Sequence, residues 1–156
     1  MNEVSDKVQD ENYEIALQNK EDFLTLAKRN GIVIGKEVMD FLPQIKFDCG
    51  LITKDDFALV SNEEIGIDND DWIKVFDFIC VAEHFGLKKI SYMEALISIV
   101  MYKDDVECRQ AEIIPAIIPI SRRYLVGKWV GEIYFISLFD GCIALPQYAR
   151  ITARRK

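Results

Sequence analysis

The sequence lacks any run of apolar residues long enough to cross a membrane. Its longest uncharged stretches, Ile113–Ser121 and Gly141–Ala149, contain nine residues each, and both include a proline. A membrane span needs about 20 predominantly apolar residues. Residues 1–6 are polar and acidic, without the basic and then apolar pattern of a secretory signal peptide. We therefore expect a cytoplasmic protein that does not contact membranes.

The sequence also has few residues of the types that bind metals. It contains a single histidine, His84, and four cysteines that are about 30 residues apart and form no C-x-x-C pair. Cys80 and His84 are four residues apart, a spacing that places them on one face of a helix. A zinc site there needs a further ligand, which folding would have to supply from Cys49, Cys108 or Cys142. We expect reduced cysteines packed as small apolar residues, a histidine at a helix end, and no metal or other cofactor.

Motifs typical of enzymes are missing as well. Gly127–Gly131 lacks the spacing and the Lys-Ser/Thr pair of a phosphate-binding loop, so its glycines are expected to mark bulges or turns. No serine occupies the G-x-S-x-G pattern of a nucleophile elbow. Asp68–Asp71 begins like a calcium loop, but Ile73 replaces the required glycine and Ile79 the required glutamate. The sequence therefore favours a protein that is not an enzyme. The exception would be a buried carboxyl group, because burial shifts its pKa and can make it a general acid or base.

What the chain does have is apolar residues and carboxylates. Half of its residues are apolar and 11% are aromatic, enough for a single globular domain over residues 1–156, with 1–12 expected to be frayed. The net charge is −7, which argues against general nucleic-acid binding because that affinity comes mainly from lysine and arginine. The charge is uneven, since residues 1–78 carry −10 and residues 79–156 carry +3.

The spacing of apolar residues predicts helices in the first two-thirds of the chain. One extends from Tyr13 to Ala27 and stops at Asn30-Gly31, where glycine allows a left-handed turn. A second, over 68–85, is apolar on nearly all sides, so we expect it in the core. A capping box at Ser91–Glu94 begins a third, which extends to Tyr102. Shorter helical turns are predicted in two places, Val38–Leu42 and Thr53–Val60.

The last third of the chain is typical of strands. Ile113–Ile120 is β-branched but interrupted by two prolines, which favours an extended segment at a sheet edge. Tyr124–Val130 and Ile133–Phe139 have the composition of strands, and Asp140-Gly141 indicates a hairpin into Cys142–Leu145. Helices followed by strands predict an α+β fold, in which N-terminal helices pack on a C-terminal antiparallel β-meander.

One stretch concentrates the acidic residues. Seven acids and no base occur between Asp55 and Asp71, and Trp72 follows. The stretch is either a solvated surface that caps helices and keeps the protein soluble, or a binding surface whose field of one sign attracts a cationic partner. In the second interpretation Trp72 is an aromatic anchor, and the alternative for this residue is a position in the core. The candidate partner-binding residues are therefore Asp55, Asp56, Glu63, Glu64, Asp68, Asp70, Asp71 and Trp72.

These features favour a non-enzymatic acidic protein that occludes a basic protein partner such as a toxin or a nuclease. Bacterial toxin-neutralising immunity proteins often share this bulk character, and the analogy rests on no shared motif. Two alternatives stay open. One is a small enzyme or ligand-binding domain with a pocket between helices and sheet, and the other is a subunit that self-associates through Ile113–Ile120. The basic carboxyl end, Arg150 to Lys156, is expected to be a solvated run.

Overall fold

The computed structural model describes residues 13–47, 51–61, 64, 83–117, 123–140 and 149–155. Three helices are complete within these residues: α1 (Lys20–Arg29), α2 (Lys36–Phe41) and α3 (Tyr92–Tyr102). The strands are β1 (Glu14–Ile15), β2 (Ile32–Ile34), β3 (Ile52–Thr53), β4 (Phe57–Ser61), β5 (Leu87–Lys88), β6 (Glu112–Pro115), β7 (Arg123–Val130), β8 (Ile133–Asp140) and β9 (Ala149–Arg155). Single 3₁₀ turns lie at Leu42–Gln44, Lys54–Asp56 and Val106–Cys108.

The main sheet is mixed, with the strand order β2-β8-β7-β6-β9-β4 and with β5 paired to the last residues of β9. β6, β7 and β8 are consecutive antiparallel neighbours, and Gly131, with a φ of +64°, lies in the turn between β7 and β8. β9 lies on the other side of β6 and runs parallel to it, and β2 runs parallel to β8. The fold is therefore α+β, but the prediction of a C-terminal antiparallel meander is wrong.

The expected order of helices first and strands last is also wrong. β1 to β5 all precede α3 in the chain, and β4 pairs with β9 along five residues from Phe57↔Arg154 to Ser61↔Arg150. Strands of two or three residues, such as β2 and β5, are too short to show an alternating pattern. They form because a neighbouring long strand offers backbone donors and acceptors that must be paired when buried.

The segment from Tyr13 to Ala27 is divided between a strand and a helix. β1 pairs with β3 in a separate two-stranded sheet, and the Lys54 amide donates to the Tyr13 carbonyl at 2.8 Å. Asn19 caps α1 by accepting from the Asp22 amide at 2.9 Å, so the helix begins only at Lys20. The predicted helix is therefore wrong over its first seven residues. Its predicted stop is confirmed, because Gly31 has a φ of +67°.

Helix α3 forms as the sequence predicts. The Glu94 amide donates to Ser91 Oγ at 3.2 Å, and the Ser91 amide donates to Glu94 Oε1 at 3.1 Å, which completes the capping box. Nine of its eleven residues are buried, and it packs against β6, β7 and β9. Helix α3 is therefore the central element on one face of the sheet.

The proline-interrupted segment Ile113–Ile120 does not lie at a sheet edge as expected. Its described residues are 113–117, and the first three of them belong to β6, an internal strand between β7 and β9. Pro115 is the last residue of β6, a position where a missing amide donor is tolerated, and its carbonyl accepts from the Ile117 amide at 3.0 Å. The prediction of a short helix from Thr53 to Val60 is also mostly wrong. The capping box of Thr53 and Asp56 begins a single 3₁₀ turn, and β4 follows directly at Phe57.

The sheet is buried on both faces at its centre. Ile113 and Ile114 are adjacent, each has an exposed fraction of 0%, and they belong to two different apolar clusters. The larger cluster contains α3 and residues of α1, α2, β1 and β3. The smaller one lies on the opposite face and contains residues of β4, β6, β7 and β9. This double burial explains why the central strands are apolar at successive positions.

Several predictions lie outside the described residues. They concern the frayed residues 1–12, the strand Cys142–Leu145, and the helix 68–85 except for its end. There Glu83 and His84 are helical and Gly86 has a φ of +77°, which confirms the expected stop. No helix in the described part of the chain is long and apolar enough to span a bilayer.

Candidate partner-binding surface

The structure places three of the eight candidate partner-binding residues. Asp55 and Asp56 belong to the 3₁₀ turn Lys54–Asp56, and Glu64 is exposed. The other five lie outside the described residues, so their part of the prediction stays a prediction: Glu63, Asp68, Asp70, Asp71 and Trp72.

Asp55 and Asp56 have different local roles in their 3₁₀ turn. Asp56 Oδ2 accepts from the Thr53 amide at 3.0 Å, so this carboxylate caps the turn. The exposed Asp55 accepts a hydrogen bond from the Tyr13 hydroxyl, which ties the turn to the residue that precedes β1. The helix-capping interpretation therefore holds for Asp56, whereas Asp55 links two segments that are 42 residues apart.

The carboxylates of this region act together on the pKa of the Tyr13 phenol. The hydrogen bond to Asp55 raises the pKa of Tyr13 above its ordinary value, and the negative charges of Glu14 and Asp56 raise it further. Tyr13, Glu14, Asp55 and Asp56 thus form one partly exposed acidic group, which we call the Tyr13 surface.

The basic residue next to this surface has its own partner. Lys54 Nζ lies 2.7 Å from Asp105 Oδ1 and 4.6 Å from the centre of the Tyr102 ring. The Tyr102 hydroxyl in turn donates to the Lys54 carbonyl at 3.3 Å and to the Phe57 carbonyl at 3.4 Å. Because Asp105 binds Lys54 against this buried ring, the lysine charge does not pair with Asp55 or Asp56. The Tyr13 surface therefore keeps its negative charge.

A groove of about 430 Å³ extends from the Tyr13 surface between the β1 segment and α1. Glu14 belongs to both features, and Asp22 in the groove wall accepts from the Gln18 amide at 2.9 Å. The remaining lining residues are mainly apolar or neutral, with one arginine: Ile15, Ala16, Leu17, Gln18, Thr25, Leu26 and Arg29. Sequence reasoning missed Tyr13 and Glu14 as surface residues because it placed Tyr13 in a continuous helix.

The structure describes only one member of the Cys80–His84 pair, so the pair as a site is not tested. His84 is exposed at the end of its helix, as expected for a helix-end histidine, and Phe85 beside it is 53% exposed. Cys80 lies outside the described residues. Among the residues that the structure does describe, no three histidine, cysteine or acidic side chains group as metal ligands. Cys108 is a free, buried thiol, as predicted for the cysteines.

The basic carboxyl end is not the solvated run that was expected. Arg150, Arg154 and Arg155 belong to β9, an internal strand of the sheet. Arg154 forms an ion pair with Glu94 of the α3 capping box, and Arg155 Nε donates to the Phe57 carbonyl at 3.1 Å. Both guanidinium groups therefore have partners within the fold, and Arg155 is at the same time exposed to solvent.

The sequence matches no family model, no curated protein and no solved structure. A function has to be proposed from the geometry of the described residues. Two features of that geometry are relevant: a negative surface on which Asp55 and Asp56 accept hydrogen bonds, and the ion pair that engages the nearby Lys54 with Asp105.

Proposed function

We propose that this chain is a non-enzymatic, cytoplasmic binding protein that occludes a basic protein partner, in the manner of an inhibitor or immunity protein. The Tyr13 surface supports the proposal, together with the acidic stretch that continues to Asp71. The partner is a protein with a cationic active cleft, such as a toxin or a nuclease.

The observation that carries the proposal is the contact between Tyr13 and Asp55. A carboxylate that is already held by a tyrosine hydroxyl loses little conformational freedom when a partner binds, so more of the interaction energy appears as affinity. Tyrosine is also enriched among the residues that dominate binding energy. Since Lys54 is held by Asp105, no neighbouring lysine has to be displaced first.

The proposed mechanism is electrostatic attraction followed by steric exclusion. A surface with one sign of charge increases the rate at which an oppositely charged protein associates. After contact, Asp55, Asp56 and Glu14 pair with lysine and arginine residues around the partner's cleft, and the bulk of the domain excludes the substrate. The groove beside β1 gives a protruding segment of the partner a place to lie.

The test is a measurement of association rates against salt concentration. Proteins from an extract of the source organism are captured on the immobilised chain and eluted with salt, and the purified partner is then used for kinetics. The variant Asp55→Asn/Asp56→Asn loses two charges but keeps oxygen acceptors for the Tyr13 hydroxyl and the Thr53 amide. We expect its association rate at low salt to fall about tenfold, with a smaller change in dissociation rate.

The control removes the same number of charges elsewhere. Asp40 on α2 and Glu132 in the turn between β7 and β8 are both exposed, and Asp40→Asn/Glu132→Gln should change the rate less than twofold. A third variant, Asp68→Asn/Asp70→Asn/Asp71→Asn, tests the rest of the stretch. Association that responds neither to salt nor to either acidic variant would refute the proposal. A partner that binds but keeps its activity would refute occlusion.

A further inference from the structure

A second pocket, of about 470 Å³, lies beside the 3₁₀ turn Val106–Cys108. Its described walls contain two arginines, one acid, one amide and two apolar side chains: Arg109, Arg150, Glu107, Gln110, Val106 and Ala111. The volume lies within the range of about 300–1,000 Å³ that is usual for pockets that bind small molecules.

The two arginines of this pocket lack the acidic partners that Arg123 and Arg154 have. Arg123 pairs with Glu37 at 2.7 Å, and Arg154 pairs with Glu94. Within the described part of the chain, no carboxylate lies within 4.0 Å of the guanidinium group of Arg109 or Arg150. Arg150 Nη1 donates to the Ala149 carbonyl at 3.1 Å, which orients the group and leaves most of its N–H donors available.

The charge and shape of the walls select a class of ligand. Within the described lining, two guanidinium groups and the Glu107 carboxylate give one net positive charge, which a single carboxylate neutralises and a phosphate dianion exceeds. The planar fork of arginine N–H groups matches the two oxygens of a carboxylate. Val106 is 87% exposed, and Ala111 lies in the same wall. An apolar group attached to the ligand's carboxylate can therefore pack on these two side chains.

We propose that this pocket binds a small organic carboxylate. The carboxylate lies between Arg109 and Arg150 with Gln110 as a further donor, and its apolar portion covers Val106. The site is separate from the Tyr13 surface and does not depend on the proposed partner. The pocket lies beside a 3₁₀ turn and β9, and so differs in place from the pocket between helices and sheet that the sequence left open as an alternative.

The neighbouring thiol of Cys108 takes no part in this binding. Cys108 has an exposed fraction of 0%, and burial raises the pKa of its thiol to about 12, with Asp105 and Glu107 adding to the effect. The reactive form of cysteine is the thiolate. At neutral pH the pocket therefore offers cation and amide contacts and no nucleophile.

The test uses butanoate as the probe, titrated into the isotopically labelled full chain and followed by NMR. We expect the amide signals of Arg109, Gln110 and Ala111 to shift with a common dissociation constant of about 1 mM, typical of so small a ligand. The variant Arg109→Gln/Arg150→Gln should weaken binding at least tenfold, and Arg150→Lys in place of Arg150→Gln should recover part of it. Arg29→Gln, which changes an arginine in the other groove, should have no effect.

Three further measurements complete the test. Acetate should bind about twofold to fourfold more weakly than butanoate for each methylene that it lacks, and Val106→Ser should abolish this difference without affecting acetate. Urea unfolding of each variant confirms that it is folded. The proposal is wrong if butanoate does not bind, or if inorganic phosphate binds more tightly than both butanoate and acetate. It is also wrong if the single variant Arg109→Gln binds butanoate as tightly as the parent chain; Arg109 is exposed, so this substitution is not expected to disturb folding.

Discussion

Gly127 lies where two parts of the core meet the backbone of β7. A Cβ atom at this position would be 2.4 Å from Tyr134 Oη and 2.5 Å from Ile99 Cγ2, and both of those residues have an exposed fraction of 0%. Glycine at this position lets the Tyr134 and Ile99 side chains pack directly against the backbone of β7. The bulge or turn that the sequence indicated is not the reason for it. Gly131, by contrast, does lie in a turn.

The substitution Gly127→Ala should lower the free energy of unfolding by about 2 kcal/mol or more, because overpacking a core site forces neighbours to shift. Urea denaturation measures this change. Gly35→Ala is the comparison, since its nearest neighbour, the Ile136 carbonyl oxygen, would be 3.3 Å away. Adding Tyr134→Phe removes the closest contact and should restore part of the loss. Equal effects of Gly127→Ala and Gly35→Ala would contradict the close-approach explanation.

Cys108 should make stability depend on pH in the alkaline range. Burial raises the pKa of its thiol from 9.0 to about 12. Below pH 9 both states are protonated, whereas from about pH 9 to 12 only the unfolded state loses the proton, so stability falls as pH rises. The slope from one such group is at most about 1.4 kcal/mol for each pH unit.

Denaturation of the parent chain and of Cys108→Ala at pH 8, 9 and 10 measures this contribution. The variant should show a constant offset from the lost packing and a smaller fall in stability above pH 9. Tyr102, whose pKa burial and Asp105 raise to about 12, acts in the same direction but only above its own ordinary value of 10.0. Parallel curves between pH 9 and 10 would show that Cys108 ionises equally in both states.

At the scale of elements, α3 follows most directly from its local sequence. Its capping box and its apolar residues are adjacent in the chain, so the pattern predicted the helix correctly. Replacing Ser91 with alanine removes the acceptor for the Glu94 amide and should lower the unfolding free energy by about 1 kcal/mol. Ser91→Thr keeps the hydroxyl and should stay close to the parent. If Ser91→Thr is as unstable as Ser91→Ala, the cap is not the cause.

The β1 segment shows why a local pattern fails. Tyr13, Ala16 and Leu17 have helical spacing, yet Ile15 pairs with Ile52 and the Tyr13 carbonyl accepts from Lys54. These partners are about 40 residues away, and nothing within the segment reveals them. The same contact brings Tyr13 to Asp55, so the error in the fold and the missed half of the candidate surface have one cause.

For the whole molecule, burial predicts an order of local opening. The residues with zero exposed fraction lie mostly in α3 and the central strands, for example Ile97, Ile113 and Ile151, whereas β1 and β3 are two-residue strands in a sheet of their own. Native-state hydrogen exchange should therefore be slowest in α3 and β6 to β9, and much faster in β1 and β3. Equal protection of β1 and β7 would contradict this order.

The distribution of charge also belongs to this scale. The sequence shows an acidic first half and a basic second half, and the candidate surface was inferred from that contrast. In the folded chain several of the basic groups already have partners. Arg154 pairs with Glu94, Arg155 donates to the Phe57 carbonyl, and Lys54 pairs with Asp105. Among the described arginines of the second half, Arg109 and Arg150 have no carboxylate partner and form a pocket together, which no charge count distinguishes.

Local chemistry in the sequence is sufficient for the α+β class, helix α3, the stops at Gly31 and Gly86, and the strands β7 and β8. Each of these depends on residues within a few positions of one another. The parallel pairing of β6 with β9, the contact of Tyr13 with Asp55, and the pocket at Arg109 and Arg150 arise only in the folded chain. They depend on contacts between residues about 40 positions apart, whose free energy no local pattern records.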